Sequence, residues 1–267
     1  MRYFLHLAYN GGNYRGWQRQ ISAISVQEQL ENSLSLIFKQ KIICVGCGRT
    51  DSLVHACQYF VHFDVASPFE FDLIYRLEKT LPFDIVVYDV FQMKNGNEHS
   101  RFDAIERTYT YFIHTVKDPY IHTLSSFYEY SELHFSTMKL ASELLLKYTD
   151  FEAFCFTPER HNTTICTITG IRIFVNKQGN RLKFEISANR FLKGMIRIVI
   201  GKLLDVGNGK LSVDEFENLL ITKQRTKIQN TAYPQGLYLS KIRYPYLDIP
   251  PKTEFWNVFN GVEWCEI

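Results

Sequence analysis

The sequence predicts an α+β fold built of two ferredoxin-like halves, each a β-α-β-β-α-β unit, with adjoining antiparallel sheets. Three observations lead there. Period-two and helical apolar patterns alternate in that order before residue 95 and again after residue 105. The loop Asn95-Gly96-Asn97-Glu98-His99-Ser100-Arg101-Phe102-Asp103 separates the two series. A hydrophobic content of 46% over 267 residues is ample for a core. We therefore expect one half at residues 1–104 and a second at 105–267, with a cleft between their sheets.

In the first half, Tyr3, Leu5, Leu7 and Tyr9 alternate along residues 2–9 and read as a strand. The Gly-rich loop Asn10-Gly11-Gly12-Asn13 follows, then Tyr14-Arg15-Gly16-Trp17-Gln18-Arg19-Gln20. Ser25 and Glu28 form a capping box ahead of Val26, Leu30, Leu34 and Phe38, which share a helix face. Two strands are expected at 42–47 and 59–63, joined by Gly48-Arg49-Thr50-Asp51-Ser52-Leu53-Val54-His55. Ser67-Pro68 opens a second helix through Phe71, Ile74 and Leu77, and residues 84–90 read as a strand.

The second half opens on a strand over 107–116, with Tyr109, Tyr111 and Ile113 on one side. A helix is expected over 136–148. Strands at 167–175 and 181–188 form a hairpin around Asn176-Lys177-Gln178-Gly179. Leu192, Met195, Ile196, Val199, Ile200 and Leu203 mark a strongly periodic helix ended by Gly207. A short helix begins at Ser212, capped by Glu215, and residues 236–243 supply the last strand.

Composition narrows the function classes. No apolar run reaches the length of a membrane helix, and the broken N-terminus does not read as a secretion signal, so a cytoplasmic protein is expected. The six cysteines are scattered. Cys44 and Cys47 form a lone C-x-x-C inside an apolar stretch, with no second pair at ligand spacing, so no metal site is expected. Net charge is only +2, yet residues 181–210 carry seven basic side chains (Arg181, Lys183, Arg190, Lys193, Arg197, Lys202, Lys210) against two acidic ones. Lys223, Arg225 and Lys227 follow. Such a stretch, with 15% aromatics in the chain, suits nucleic acid; it also suits an ordinary surface helix.

Asp51 lies in a short loop between two strands, the kind of scaffold that holds a reactive group. It is either a solvated carboxylate near Arg49 or a nucleophile, which must be ionised and aimed at an electrophile. Arg197 is the distant cation best suited to keep it so, unless it lies on its helix's polar edge. Tyr109 is either a packed strand residue or a platform for an unstacked base. Trp17, Gln18 and Arg19 combine aromatic, amide and basic groups in one loop, a mix that holds RNA. His55 follows Asp51 by four residues and is either an acid–base group or a satisfied loop histidine. No Ser-His-Asp set and no dinucleotide fingerprint is present.

Several of these stretches together resemble the tRNA pseudouridine synthase A family. Gly48-Arg49-Thr50-Asp51 with Val54-His55-Ala56 resembles its signature loop, and residues 14–20 its first RNA-facing loop. Residues 25–31, His99-Ser100-Arg101-Phe102-Asp103-Ala104, Arg107-Thr108-Tyr109-Thr110-Tyr111, Phe191 with Met195-Ile196-Arg197, and Gly236-Leu237-Tyr238-Leu239 are similar to further family segments, in the family's order. The resemblance implies isomerisation of uridine to pseudouridine on the 3′ side of the tRNA anticodon arm, without a cofactor, by a homodimer whose tRNA lies across both subunits. It makes Asp51 the nucleophile and Arg197 its partner. Tyr109 would lie against the target base, Arg49 would hold the flipped-out nucleotide, and Leu237 would line the pocket in the RNA-binding cleft. Three departures stand out: Ser52-Leu53 where the family has Ala-Gly, Gln58-Tyr59 where it has Gly-Gln, and Asn10 for Asp. Leu53 resists positive φ, so a loop of different shape is expected. A non-catalytic RNA-binding protein, or a synthase with another RNA target, is the competing reading.

Overall fold

A computed structural model describes residues 1–130, 132–225, 230–252 and 262–267. These form two compact units: Met1–Ile105 with 238–252, and Glu106–Leu237 with 262–267. The sequence reading gave everything after residue 104 to the second half; by compactness the chain returns to the first unit at Tyr238.

The first unit contains β1 (Arg2–Tyr9), α1 (Val26–Phe38), β2 (Val45–Gly46), β3 (His55–Asp64), α2 (Leu73–Thr80) and β4 (Ile85–Gln92). β1 is central, antiparallel to β4 on one side and β3 on the other, with Leu5 opposite both Val90 and Val61. β2 pairs antiparallel with the far end of β3, giving the ferredoxin-like order β4-β1-β3-β2. Alternation along β1 accounts for one apolar face, yet Phe4, His6 and Ala8 on the other face are buried too. The returning chain packs on that face: Tyr244 stands edge-on to Phe4 and Phe60, with ring centroids 5.9 and 5.3 Å away.

Among the expected boundaries that move, two do so because of a side chain. The apolar run 42–47 is strand only at Val45–Gly46. Ile42 N–H donates to Ser35 Oγ, and Cys44 N–H to Glu31 Oε1, each at 3.0 Å. Gln27 Nε2 donates to the Cys44 carbonyl at 2.9 Å. Side chains of α1 thus take the hydrogen bonds a strand partner would need. The helix expected from Ser67-Pro68 begins at Leu73, because Asp72 caps it by accepting the Tyr75 N–H at 2.9 Å. Phe69 and Phe71 pack instead with Phe38.

The second unit contains β5 (Glu106–His114), β6 (Ser126–Phe127), α3 (Phe135–Leu144), β7 (Ile168–Asn176), β8 (Arg181–Ala188), α4 (Met195–Gly207) and α5 (Val213–Thr222). β8 lies between β5 and β7, antiparallel to both. At the expected hairpin turn, Asn176 Oδ1 accepts the Asn180 and Arg181 N–H groups at 2.9 Å. α5 carries the expected capping box, with Ser212 and Glu215 bonding reciprocally. β9 (Leu237–Arg243) then leads into the first unit, where it runs parallel to the start of β3, and β10 (Trp264–Glu266) edges β7. Of the described residues of α4, Arg197 alone is not buried. No described helix is long and apolar enough to cross a membrane.

Candidate active site

In the first unit, the loop from β2 to β3 is tied down almost residue by residue. Tyr59 Oη donates to the Gly48 carbonyl at 2.5 Å. Tyr9 Oη lies 2.8 Å from Thr50 Oγ1, and the Trp17 N–H donates to the Thr50 carbonyl at 3.3 Å. The Tyr14 carbonyl accepts from the Leu53 N–H at 3.2 Å and from Ser52 Oγ at 3.3 Å. The Val54 N–H closes a turn on the Asp51 carbonyl at 3.2 Å. Asp51 sits half-buried within these ties, with Arg49 exposed beside it.

Two glycines let the neighbouring loop approach. A Cβ on Gly11 would lie 2.0 Å from the Val54 oxygen. One on Gly16, whose φ is +88°, would lie 2.4 Å from the Thr50 oxygen. That neighbouring loop is anchored by Asp84: Tyr14 Oη and Asn13 Nδ2 donate to its carboxylate, and the Asn10 N–H to its carbonyl at 2.9 Å. Burial, then the Asp84 bond, push the Tyr14 phenol well above the ordinary tyrosine range, so it stays a donor.

Leu53 adopts φ +67°. The expected change of loop shape does not follow from a refusal of positive φ, because the bonds to Tyr14 hold Leu53 in the left-handed region. His55 is a structural acceptor: its Nδ1 takes the Gly11 N–H at 3.0 Å, and its buried ring stacks on Tyr238 at 4.5 Å and 14°. That occupies the lone pair an acid–base role would use.

The RNA-facing expectation for residues 17–19 divides. Trp17 is buried, with its indole 4.3 Å from the Tyr59 ring and 6.3 Å from Tyr9; it supports the Asp51 loop and offers no face to a ligand. Gln18 is exposed. Arg19 is also exposed, but its guanidinium reaches Glu31 at 3.1 Å and Glu28 at 3.6 Å.

In the second unit, Arg197 Nε donates to the Ala232 carbonyl at 2.7 Å, and the Ala232 N–H returns to the Arg197 carbonyl at 2.9 Å. Its guanidinium lies near the phenols of Tyr111 and Tyr128, which burial nonetheless raises above the ordinary range. Tyr109 is half-buried on β5, edge-on to Phe191 at 5.2 Å and 89°. Leu237 is buried at the start of β9.

The basic stretch is not one continuous face. Arg181 pairs with Asp118 at 3.3 Å, Lys183 with Glu185 at 2.9 Å, and buried Lys202 with Asp205 at 3.7 Å. Lys223 pairs with Asp150 at 2.6 Å, and Arg225 donates to the Phe156 carbonyl at 3.1 Å. Lys193 and Lys210 stand exposed, and Lys227 lies outside the described residues. The described residues contain no cluster of three or more His, Cys, Asp or Glu able to hold a metal ion. Cys44 and Cys47 are buried free thiols.

Sequence reasoning did not assign the bracing roles of Tyr9, Thr50, Tyr59 and Asp84. Only Gln58-Tyr59 carried a signal, as a departure from a resembled pattern.

A family model described as tRNA pseudouridine synthase matches residues 141–245. Curated relatives align over nearly the whole chain. The tRNA pseudouridine synthase A of Porphyromonas gingivalis is 40% identical over 247 residues, covering 91% of this chain and 97% of its own. The proteins of that name from Parabacteroides distasonis and Bacteroides fragilis are 38% and 39% identical, each over 91% of this chain and 96% of their own. With relatives matched over nine-tenths of the chain at 38–40% identity, the chain belongs to the tRNA pseudouridine synthase A family.

Proposed function

We propose that this chain isomerises uridine to pseudouridine in tRNA, with Asp51 as the nucleophile. The observation that carries the assignment is the bracing of Gly48, Thr50 and Leu53, which fixes the backbone on both sides of Asp51, itself only half-buried. Catalysis by positioning needs such a fixed group. The target base must leave its stack before reaction. Attack by Asp51 on the target nucleotide lets the N1–C1′ bond break; the base turns and rejoins C1′ through C5. The proton lost from C5 is balanced by one gained at N1, so no cofactor is consumed.

The other roles belong to the same proposal. Arg49, exposed on the loop, holds the flipped-out conformation, and Tyr109 offers its ring to the base. Arg197 acts in the same step as a cation favouring ionised carboxylate. Leu237 contributes apolar lining, and Gln18 and Arg19 contact RNA. The proposed target is the 3′ side of the anticodon arm, bound by a homodimer in the cytoplasm.

Pseudouridine mapping on tRNA incubated with purified wild-type and variant protein tests the assignment. Asp51→Asn should bind tRNA normally and form no pseudouridine. Arg197→Met should lose most turnover, and Arg197→Lys should recover part of it, because an ammonium lacks the planar fork. Near-normal turnover by Asp51→Asn would leave a binding protein as the better reading.

A further inference from the structure

We propose that Tyr233 is a stacking platform for a base of the bound RNA, beside Arg197 and Leu237 in the second unit. The proposal rests on the reading that the chain acts on tRNA.

Tyr233 is 53% exposed, yet its main chain is held on both sides. Its N–H donates to Tyr128 Oη at 3.0 Å, and its carbonyl accepts from Tyr111 Oη at 2.9 Å. Pro234 follows and opens a 3-10 turn over Pro234–Gly236, which further restricts the backbone. The segment's structural contacts are therefore made largely by main-chain atoms, and the phenol ring is presented outward. That ring lies 5.1 Å from Tyr128 at 33°, and Tyr128 stacks on Tyr130 at 5.5 Å and 5°. Tyr233 is thus the most exposed of three neighbouring rings.

Its position points to the ligand. Ala232, the preceding residue, is bonded in both directions to Arg197. Leu237 follows four positions later, after the turn. A half-exposed aromatic ring, already ordered and backed by a second ring, stacks on a base with little further loss of freedom. Every base has a π-face, so the platform would favour an unpaired nucleotide without choosing its identity.

The test compares wild type with Tyr233→Ala, Tyr233→Leu and Tyr233→Phe on an anticodon-arm RNA, measuring KM, kcat and Tm. Loss of one stack should raise KM about tenfold in the Ala and Leu variants, with kcat held within about twofold. Phe should keep the wild-type KM. All three retain the main-chain contacts, so their Tm values should stay close to wild type. An unchanged KM in Tyr233→Ala overturns the proposal. So does a Leu variant as good as Phe, which would mean general apolar packing, or a KM rise that tracks falling Tm across the variants. Asp51→Asn is run alongside. Wild-type protein that converts no uridine would sink the enzymatic reading itself, whereas conversion by wild type with no effect at Tyr233 removes this inference alone.

Discussion

Leu53 donates its backbone N–H to the Tyr14 carbonyl at 3.2 Å while holding φ at +67°. A non-glycine residue in the left-handed region costs about 1–2 kcal/mol. The Asp51 loop therefore keeps a conformation its own residue disfavours, through bonds supplied from residues 14–17.

Relieving that cost gives a first prediction. Leu53→Gly gains the conformational freedom the position needs, against about 0.5–1 kcal/mol of glycine's extra chain entropy. Leu53 is 37% exposed, so losing the covered part of its side chain offsets some of that gain. Stability should stay level or rise by up to about 1 kcal/mol in urea denaturation, whereas β-branched Leu53→Val should destabilise. A clear loss of stability in Leu53→Gly would show that the leucine side chain, and not the Tyr14 tie, holds the loop.

Tyr59 should matter more to turnover than to folding. Tyr59→Phe leaves the Gly48 carbonyl without its 2.5 Å donor, a loss of about 1 kcal/mol. With Asp51 in its proposed role a small shift of the loop is expensive, so kcat should fall about tenfold or more with RNA affinity unchanged. Gly46→Ala should act alike, because its Cβ would lie 2.3 Å from Tyr59 Oη. Equal kcat in wild type and Tyr59→Phe, measured well below both Tm values, would refute the brace.

Gln58 gives a stability prediction. It is fully buried; its Oε1 accepts the Ile242 N–H and its Nε2 donates to the Ile249 carbonyl, both at 2.8 Å. Gln58→Leu keeps the volume but strands the buried Ile242 N–H, at about 1–3 kcal/mol, and the part-buried Ile249 carbonyl, at less. A loss of at least about 2 kcal/mol is expected, and a change under about 0.5 kcal/mol would mean the chain over 242–249 is held by its tyrosines instead.

His62 gives a pH prediction. Burial, then the charges of Arg2 and His99, lower it to about 4, against weaker raising contributions from Asp64 and Asp103. Its ring nitrogen faces Ser100, with Nδ1 2.9 Å from Oγ. Folded His62 thus binds a proton less readily than the unfolded chain does. Between pH of about 6.5 and 4 the unfolded state carries more protons, so stability rises with pH there and is lost on acidification. His6, lowered by burial despite Asp89, acts in the same direction. Urea titrations should show stability level above pH of about 7 and falling below 6, and His62→Gln should flatten that slope. An unaltered slope would locate the acid sensitivity elsewhere.

How much of this was legible in the sequence depends on how far each signal reaches along the chain. The capping box Ser212–Glu215, the hairpin turn at Asn176–Gly179 and the apolar stripe of α1 are set by residues within a turn of one another. The sequence alone therefore determined them, along with the repeated element order and the place of Asp51 in a short connection between strands. The strand over 42–47 shrank because Glu31 and Gln27, more than ten residues upstream, took its hydrogen bonds. Trp17 was read as an RNA contact and proved a support, because Tyr59, far along the chain, lies against it. The basic stretch lost its continuity to Asp118, which is 63 residues from its partner Arg181. Leu53 adopts positive φ because Tyr14, on another loop, accepts its amide. Local pattern cannot encode such pairings, since the partner's distance in space is settled only when the sheet forms; the tertiary structure decided which side chains brace the loop and which remain to meet a substrate.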